Sequence, residues 1–352
     1  MVPLTDTAEG LAEIVVHFGP LPRIAVDTEA DSLHCYFEKL CLIQITIPAG
    51  DFLIDPLAGL DLNPLWQAWA GKELIFHGAD YDLRLLRRTG CPVPTRVFDT
   101  MLASRLCGLP EVSYAALMQR YFDLTIAKSS QKADWARRPL TPLMLEYAVN
   151  DTKRLTALAD ILAEKLEELD RRPWFDQLCE RAIRTSEQDK ELDLDQIWRV
   201  PGSGHLRGKA AAFFRELWKW RDEEARRGDR PAFHICHTQL MVDAATAFSE
   251  GDTYTIRHLR GPREVKFQEA AARGLAVPEA EWPQFIRTPR LRPTKAQTDR
   301  IEELRARRDK MATELQIDPA LIAAKAVLEG LVYRPEETLA KILPWQRELL
   351  QP

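Results

Sequence analysis

Three apolar runs broken by turn formers crowd the first 54 residues, and they limit what this chain can fold into. Arg23-Ile24-Ala25-Val26-Asp27-Thr28-Glu29 rises behind Pro22. Cys41-Leu42-Ile43-Gln44-Ile45-Thr46-Ile47 is stopped by Pro48 and Gly50, and Phe52-Leu53-Ile54 follows at once with Asp55-Pro56 behind it. Three short strands at this spacing predict an antiparallel meander. Leu11 to Phe18 reads as a short amphipathic segment, Leu65 to Ala70 as helix and Leu74-Ile75-Phe76 as a fourth strand. Asp82 to Arg88 starts a helix on Leu83, Leu85 and Leu86. Val97-Phe98 is a fifth strand, with Asp99 placed to cap the helix that carries Met101, Leu102 and Leu106. The sum is a mixed α/β sheet domain.

From Pro142 to Asp170 apolar residues recur at three- and four-residue spacing, which predicts one continuous helix up to Arg171-Arg172-Pro173. The tract from Trp174 to His205 starts helical, turns charged from Glu187 to Asp195 and ends in Pro201-Gly202-Ser203-Gly204, as an interdomain connection would. Everything beyond is helical with polar breaks. Within it Leu217-Trp218-Lys219-Trp220-Arg221-Asp222-Glu223-Glu224-Ala225, followed by Pro231, aligns with Leu304-Arg305-Ala306-Arg307-Arg308-Asp309-Lys310-Met311-Ala312, followed by Pro319. The alignment predicts two small helical modules in tandem.

A chain of 352 residues accommodates two or three such units. Its 45% hydrophobic and 29% charged residues exclude collagen-like, disordered and disulfide-scaffold classes. No run approaches the roughly 20 apolar residues of a membrane span. The N-terminus, with Asp6, Glu9 and Glu13 among its apolar residues, lacks a secretory signal, so a cytoplasmic location without membrane association is expected. The six cysteines show no CxxC and no zinc-finger spacing, and read as reduced, packed thiols. The net charge of -5 hides an asymmetry: residues 1–170 hold 16 Lys+Arg against 24 Asp+Glu, and the remainder holds 32 against 29. An acidic half can concentrate carboxylates for metal, and a basic half can hold a polyanion.

Asp27 and Glu29, at i and i+2 on a strand, leave the same face of the sheet, where like charges repel unless a cation compensates them. That pair alone fits a solvated strand end as well as a metal site. Asp82 lies in Phe76-His77-Gly78-Ala79-Asp80-Tyr81-Asp82-Leu83, where Asp80 or Asp82 could equally cap the helix and His77 pack at the strand end. Tyr147 and Asp151 are one turn apart on one helix face. Four carboxylates with a tyrosine suit two divalent metals, hard cations that prefer oxygen and, about 4 Å apart, stabilise both attacking and leaving oxygens of a phosphoryl displacement.

Asp27-Thr28-Glu29, His77 through Asp82 and Tyr147 through Asp151 resemble the three exonuclease motifs of the DEDD superfamily, tyrosine subclass. The resemblance is closest to the ribonuclease D family. It extends through Leu42-Ile43-Gln44-Ile45, Phe98-Asp99-Thr100, Lys128 to Trp135 and Arg138-Pro139-Leu140-Thr141, and the tandem modules resemble its HRDC domains, helical nucleic-acid-binding units. The resemblance implies an α/β ribonuclease H-like exonuclease domain with a mixed sheet, followed by all-α HRDC-type domains. It implies that Asp27, Glu29, Asp82 and Asp151 ligate two Mg²⁺ or Mn²⁺ ions and that Tyr147 orients the attacking water. Leu33, His34 and His77 are expected near the terminal nucleotide. Lys128, Lys132, Arg137 and Arg138 with Trp135 have the mixture that holds phosphates and an exposed base, or Trp135 anchors a solvated loop to the core. Arg287 to Lys310 is a second basic stretch, with nine Lys+Arg and four Asp+Glu.

The expected boundaries are 1–170 for the exonuclease, 171–204 for a helical, charged connection, 205–285 for the HRDC domain and 286–352 for a second HRDC-like domain. The second copy departs most from the pattern, since Arg307 stands where the first has Trp220. The implied activity is metal-dependent 3′–5′ hydrolysis of RNA single-stranded 3′ ends, on tRNA precursors and other small structured RNAs, releasing nucleoside 5′-monophosphates without an obligate protein partner. A DNA-directed exonuclease and a noncatalytic RNA-binding scaffold are the rival expectations.

Overall fold

The computed structural model describes residues 2–127, 130–188, 193, 195–284 and 293–350. Along the chain, β1 (Leu4–Thr5) and α1 (Ala8–Val15) precede the three strands of the meander, β2 (Arg23–Ala30), β3 (Leu40–Ile47) and β4 (Gly50–Ile54). Next come α2 (Asn63–Trp69), β5 (Glu73–Phe76), α3 (Asp80–Arg88), β6 (Arg96–Asp99), α4 (Thr100–Leu106) and α5 (Tyr114–Phe122). The helices α6 (Pro142–Thr152), α7 (Leu155–Glu168) and α8 (Arg172–Ser186) follow. The helical remainder runs through α9 (Gly208–Arg227), α10 (Ala232–Ile235), α11 (Thr238–Glu250) and α12 (Pro262–Ala276). It ends with α13 (Lys295–Leu315), α14 (Pro319–Ile322), α15 (Lys325–Tyr333), α16 (Pro335–Lys341) and α17 (Pro344–Leu350).

The sheet order is β1-β4-β3-β2-β5-β6, antiparallel through β2, β3 and β4 and parallel at the other pairings, so the expected mixed sheet with a meander is present. Alternation along β2 sends Ile24 and Val26 into one core, with Leu11, Leu65 and Trp66 from α1 and α2. Asp27 and Glu29 stand on the opposite face, paired across to Gln44 and Leu42. Leu42 packs with Met144 and Ala148, so α6 covers that face. The strand therefore aims its carboxylates at the helix that bears Tyr147 and Asp151. The six cysteines are free thiols, all but Cys107 buried.

The single helix expected from Pro142 to Asp170 is two, because α6 ends at Thr152, whose hydroxyl lies 2.8 Å from the Thr46 hydroxyl of β3. Two compact units divide the chain: Met1–Ala30, Leu40–Asp189 and Leu291–Pro352 form one, Asp31–Lys39 and Lys190–Arg290 the other. This division departs from the expected boundaries in two places. Helix α8, expected within a connection, buries Phe175, Leu178 and Cys179 in the first unit's core beside Phe98. The C-terminal segment, expected as a domain of its own at 286–352, shares that same core over its described residues 293–350 through Leu304, Ala312, Leu328 and Trp345. Trp174 stacks on Trp345 at 4.9 Å, and Arg171 donates to the Leu315 carbonyl at 2.6 Å. At Gly108, φ is +74° and a Cβ would meet the Gln316 carbonyl oxygen at 2.2 Å, so only glycine permits that approach.

The two aligned segments share a local helical pattern. A helix of 20 residues, α9, is followed by the four-residue α10, and a helix of 21, α13, by the four-residue α14. Arg221 reaches the carbonyl of Cys236 that closes α10, and Arg308 reaches the carbonyl of Ala323 that closes α14. The copies differ in how they bury α9 and α13. In the first, Trp220 packs edge-on against Phe267 of α12 and the module has its own core. In the second, Arg307 replaces Trp220 and donates to the Leu349 carbonyl of α17, and the short α16 and α17 follow α15 in the chain. Its apolar face is buried in the first unit's core instead.

Candidate active site

The carboxylate oxygens of Asp27, Glu29 and Asp151 lie within 4.8 Å of one another. Asp82 faces the same cleft, fully buried, accepting a hydrogen bond from the Thr28 hydroxyl. Among the described residues, no Lys or Arg forms an ion pair with any of the four. At an effective dielectric of about 20, each like-charge pair at this separation costs about 3 kcal/mol, so three ionised carboxylates cost about 10. That is as large as the whole stability of an ordinary domain, about 5–15 kcal/mol.

Protonation is the alternative open to the bare chain. Burial, then the charges of Asp82, Asp151 and Glu29, holds the Asp27 carboxyl well above the usual carboxylate range. Glu29 is pushed up to about 9 by burial and then by Asp151 and Asp82. Asp82 rises to about 7 through burial, held back by the Thr28 hydroxyl. Asp151 also rises to about 7 through burial, held back by the Tyr147 hydroxyl. Tyr147 itself moves up, through burial first and then Asp151, Glu29 and Asp27, and stays a neutral phenol whose hydroxyl hydrogen-bonds Asp151.

The cleft has a volume of about 460 Å³. Its wall beyond the acids includes His77, Tyr81, Met101, Tyr114, Ile126 and Gln131. The loop after β5 is held by a residue whose reach goes beyond its expected cap. Asp99 does cap α4, accepting from the amides of Met101 and Leu102, and it also accepts from Gly78 (3.0 Å) and Ala79 (2.9 Å). Gly78 sits at φ +85°, and a Cβ there would meet the Met101 Cε at 3.0 Å. Neither Asp80 nor Asp82 caps α3, whose N-cap is Ala79. His77 Nδ1 is 2.9 Å from the Thr100 hydroxyl, and its ring tilts against Tyr114 at 5.5 Å. Burial lowers the His77 pKa to about 4, so the ring is neutral. The Tyr114 hydroxyl donates to the Asn150 carbonyl at 2.9 Å and braces α6 beside Asp151.

Asp27, Glu29, His77, Asp82, Tyr147 and Asp151 thus line one cleft. Leu33 and His34 are exposed, belong to the segment that clusters with the helical unit, and are not among the cleft's lining residues. Lys128 lies outside the described residues. Lys132 is exposed and does not line the cleft, although its neighbour Gln131 does. Trp135, expected among the substrate contacts, is a core residue at 1% exposure, 6.0 Å from Tyr147, with no face open to a base. Arg138 is also committed elsewhere: it pairs with the buried Asp55 and donates to the carbonyls of Trp135 and Cys41, pinning the loop to the sheet. Of the second basic stretch, Arg287, Arg290 and Arg292 lie outside the described residues.

Sequence pattern assigns no site role to Thr28, Asp99 or Tyr114. Nor does it assign one to Gln44, which is wholly buried opposite Asp27, with both amide atoms unpartnered among the described residues. A lone amide in an otherwise apolar strand is the signal for it.

The family model described as 3′-5′ exonuclease matches residues 3–167, and the HRDC domain model matches residues 210–269. Ribonuclease D of Jannaschia sp. (strain CCS1) is 30% identical over 295 residues, 79% of this chain and 75% of that protein. The chain belongs to the ribonuclease D family. Ribonuclease D of Pseudomonas paraeruginosa is 28% identical over 93% of this chain and 89% of its own length. Two solved structures share the fold. The Escherichia coli RNase D structure aligns at TM-score 0.73 and 21% identity, covering 100% of this chain and 99% of that one. A protein from Bifidobacterium adolescentis aligns at TM-score 0.85 and 22% identity, covering 99% and 95%. As a ribonuclease D, the chain is a 3′–5′ exoribonuclease, a hydrolase of a divalent-metal-dependent exonuclease family. Its cleft fits such a cation: every donor is a hard carboxylate oxygen and three converge without internal counter-charge. No described helix is long and apolar enough to cross a membrane.

Proposed function

We propose that Asp27, Glu29, Asp82 and Asp151 hold two divalent cations, Mg²⁺ or Mn²⁺, and that Tyr147 orients the water that attacks the terminal phosphodiester. The observation that carries this reading is the uncompensated convergence of Asp27, Glu29 and Asp151. The chemistry supplied by bound cations is charge stabilisation at the phosphoryl oxygens and a lowered pKa for the nucleophilic water. The neutral Tyr147 hydroxyl acts by position, as a hydrogen-bonding group fixed one turn from Asp151. His77, Tyr81, Met101 and Ile126 present a largely apolar wall against which a 3′-terminal base can lie, and the product is a nucleoside 5′-monophosphate.

The helical unit supplies grip. On α9 the buried Glu216 and Glu224 stand two turns apart, about 12 Å, and each gathers three cations. Lys219 (2.8 Å), Arg215 (3.5 Å) and Arg273 (3.7 Å) surround Glu216. Lys266 (3.2 Å), Arg263 (3.4 Å) and Arg227 surround Glu224. One carboxylate offsets one of three charges, so each cluster keeps a surplus that suits a phosphate backbone. The segment 295–350 is read as a second HRDC-like module. The substrates in this reading are tRNA precursors and other small structured RNAs in the cytoplasm.

Release of mononucleotides from 3′-labelled RNA and DNA single strands, with and without chelator, tests the reading. Cation-dependent release from RNA, with weaker release from DNA, is expected. Chelator-resistant release would remove the carboxylates' assigned role.

A further inference from the structure

Helix α4 serves two cavities. Met101 lines the carboxylate cleft, whereas Leu102 and Arg105 line a second cavity of about 490 Å³ whose other walls are α8, through Leu178 and Arg181, the turn from α14 into α15, and α16, through Glu337 and Lys341. Its cations are unequally satisfied. Arg334 and Lys341 are paired with Glu337, and Asp318 is occupied in capping Ala320. Arg105 and Arg181 have no acidic partner among the described residues. Arg181 is half-buried, and both its burial and the charge of Arg184 disfavour its ionised form. A partly desolvated guanidinium without counter-charge is expensive for the fold to keep.

The start of α15 in the same wall is exposed, and its first amides are open to a ligand. The N-cap of α15 is Ala324, which has no side-chain acceptor, and among the described residues no acceptor meets the amides of Lys325 and Ala326. The half-buried Arg181, the exposed Arg105 beside it and the open amides at the start of α15 together suit an anion. The cavity is nevertheless far larger than a bare phosphate, falls in the range of small-molecule sites, and is walled on its remaining side by Leu102, Leu178, Leu321 and Val327.

We propose that this cavity binds a nucleotide: its phosphate lies between Arg105, Arg181 and the start of α15, and its nucleoside lies against the aliphatic wall. Two sources share that chemistry in an exoribonuclease, the free nucleoside 5′-monophosphate released by hydrolysis and a phosphate-bearing nucleotide of the RNA strand itself.

The test is isothermal titration calorimetry of the full chain with adenosine 5′-monophosphate, in chelator so that no hydrolysis is involved. Binding with a Kd between about 10 µM and 1 mM is expected for a ligand of this size. Adenosine should bind at least tenfold more weakly, because the phosphate carries the charge-assisted contacts. Arg105→Gln and Arg181→Gln should each weaken the nucleotide about tenfold, the scale of one hydrogen bond to a charged group. At saturating short RNA, in a cation-containing buffer, the double variant should keep a turnover rate within about twofold of the parent, because neither arginine lines the carboxylate cleft. Displacement of the nucleotide by a short RNA oligomer assigns the site to the strand, and failure of displacement assigns it to the free mononucleotide. Equal affinity for adenosine, no binding up to about 5 mM, or unchanged binding in the double variant would overturn the proposal. None of these outcomes touches the assignment of the carboxylate cleft.

Discussion

In the sheet unit Asp27, Glu29 and Asp151 crowd within 4.8 Å with no described cation paired to them, whereas in the helical unit Glu216 and Glu224 are each surrounded by three. Both regions bury carboxylates, and burial alone would raise the proton affinity of each. The sheet unit leaves the repulsion standing, so its missing positive charge is supplied by protons in the bare chain and, in the proposed reading, by a bound cation. The helical unit overcompensates, so the surplus positive charge is available to an anion. The sign of the imbalance states what each surface lacks, and between them they lack the two partners of an RNA hydrolase, divalent metal and polyanion.

The contrast can be broken most sharply at Asp151. Asp151→Asn keeps the shape and removes one charge from the cluster, so single-turnover hydrolysis should fall about 10³-fold or more. The same substitution should raise the melting temperature of the chelated protein at pH 8, because it relieves repulsion that a helical-unit substitution such as Glu224→Gln would not. A stable, fully active Asp151→Asn protein would mean that the acidic cluster is not a metal site. Tyr147→Phe comes next. It keeps the ring beside Trp135 and removes the hydroxyl, so the rate should drop on the order of 10², while calorimetry shows cation affinity retained.

Stability against pH sharpens the comparison without kinetics. Burial raises Asp82 and Asp151 to about 7, and burial with the charges of Asp151 and Asp82 raises Glu29 to about 9, so each carboxyl binds its proton more tightly in the folded chain than in the unfolded one. Their contribution is therefore fully present below the ordinary carboxylate range and is lost as pH rises through about 7 to 9. Thermal melts of the chelated protein should show a falling melting temperature from pH 5 to pH 9. Added Mg²⁺ should restore it, by more at pH 8 than at pH 5, and a flat profile would show that the four groups do not interact.

The smallest effect is expected in the helical unit. Lys266→Gln with Arg273→Gln removes one cation from each cluster, so RNA affinity at moderate salt should fall several-fold. The dependence of log K on log salt should flatten by about 0.7 for each phosphate of a single strand that the variant no longer neutralises. Fluorescence anisotropy across a salt series measures both, and an unchanged slope would leave these clusters without a role in RNA binding.

Much of this was legible in local pattern. The meander follows from three apolar runs and their turn formers, and the cap at Asp99 from a short polar residue at the junction of strand and helix. The repeated Arg-Asp module follows from its own alignment, with Arg221 and Arg308 closing equivalent short helices. Trp135 was ambiguous because basic neighbours signal an exposed loop, and the Asp55–Arg138 pair that draws it inward joins residues 83 positions apart. The break after Thr152 was equally hidden, since the apolar period continues through it and the sheet residue that meets Thr152, Thr46, lies 106 positions away.

The sequence by itself determined which chemistry is present: carboxylates at a strand end and on two helices, a tyrosine one turn from an aspartate, and a change of charge sign near residue 170. These properties depend on residue type and on spacings within one element, where periods of 2 and 3.6 assign a face. Tertiary structure alone decided which of those residues meet. It drew Asp27, Glu29 and Asp151 together while placing Trp135 in the core, and it merged the second helical module into the sheet unit's core because Arg307 cannot do the apolar work of Trp220. Such outcomes depend on contacts between residues far apart in the chain, which no local period encodes.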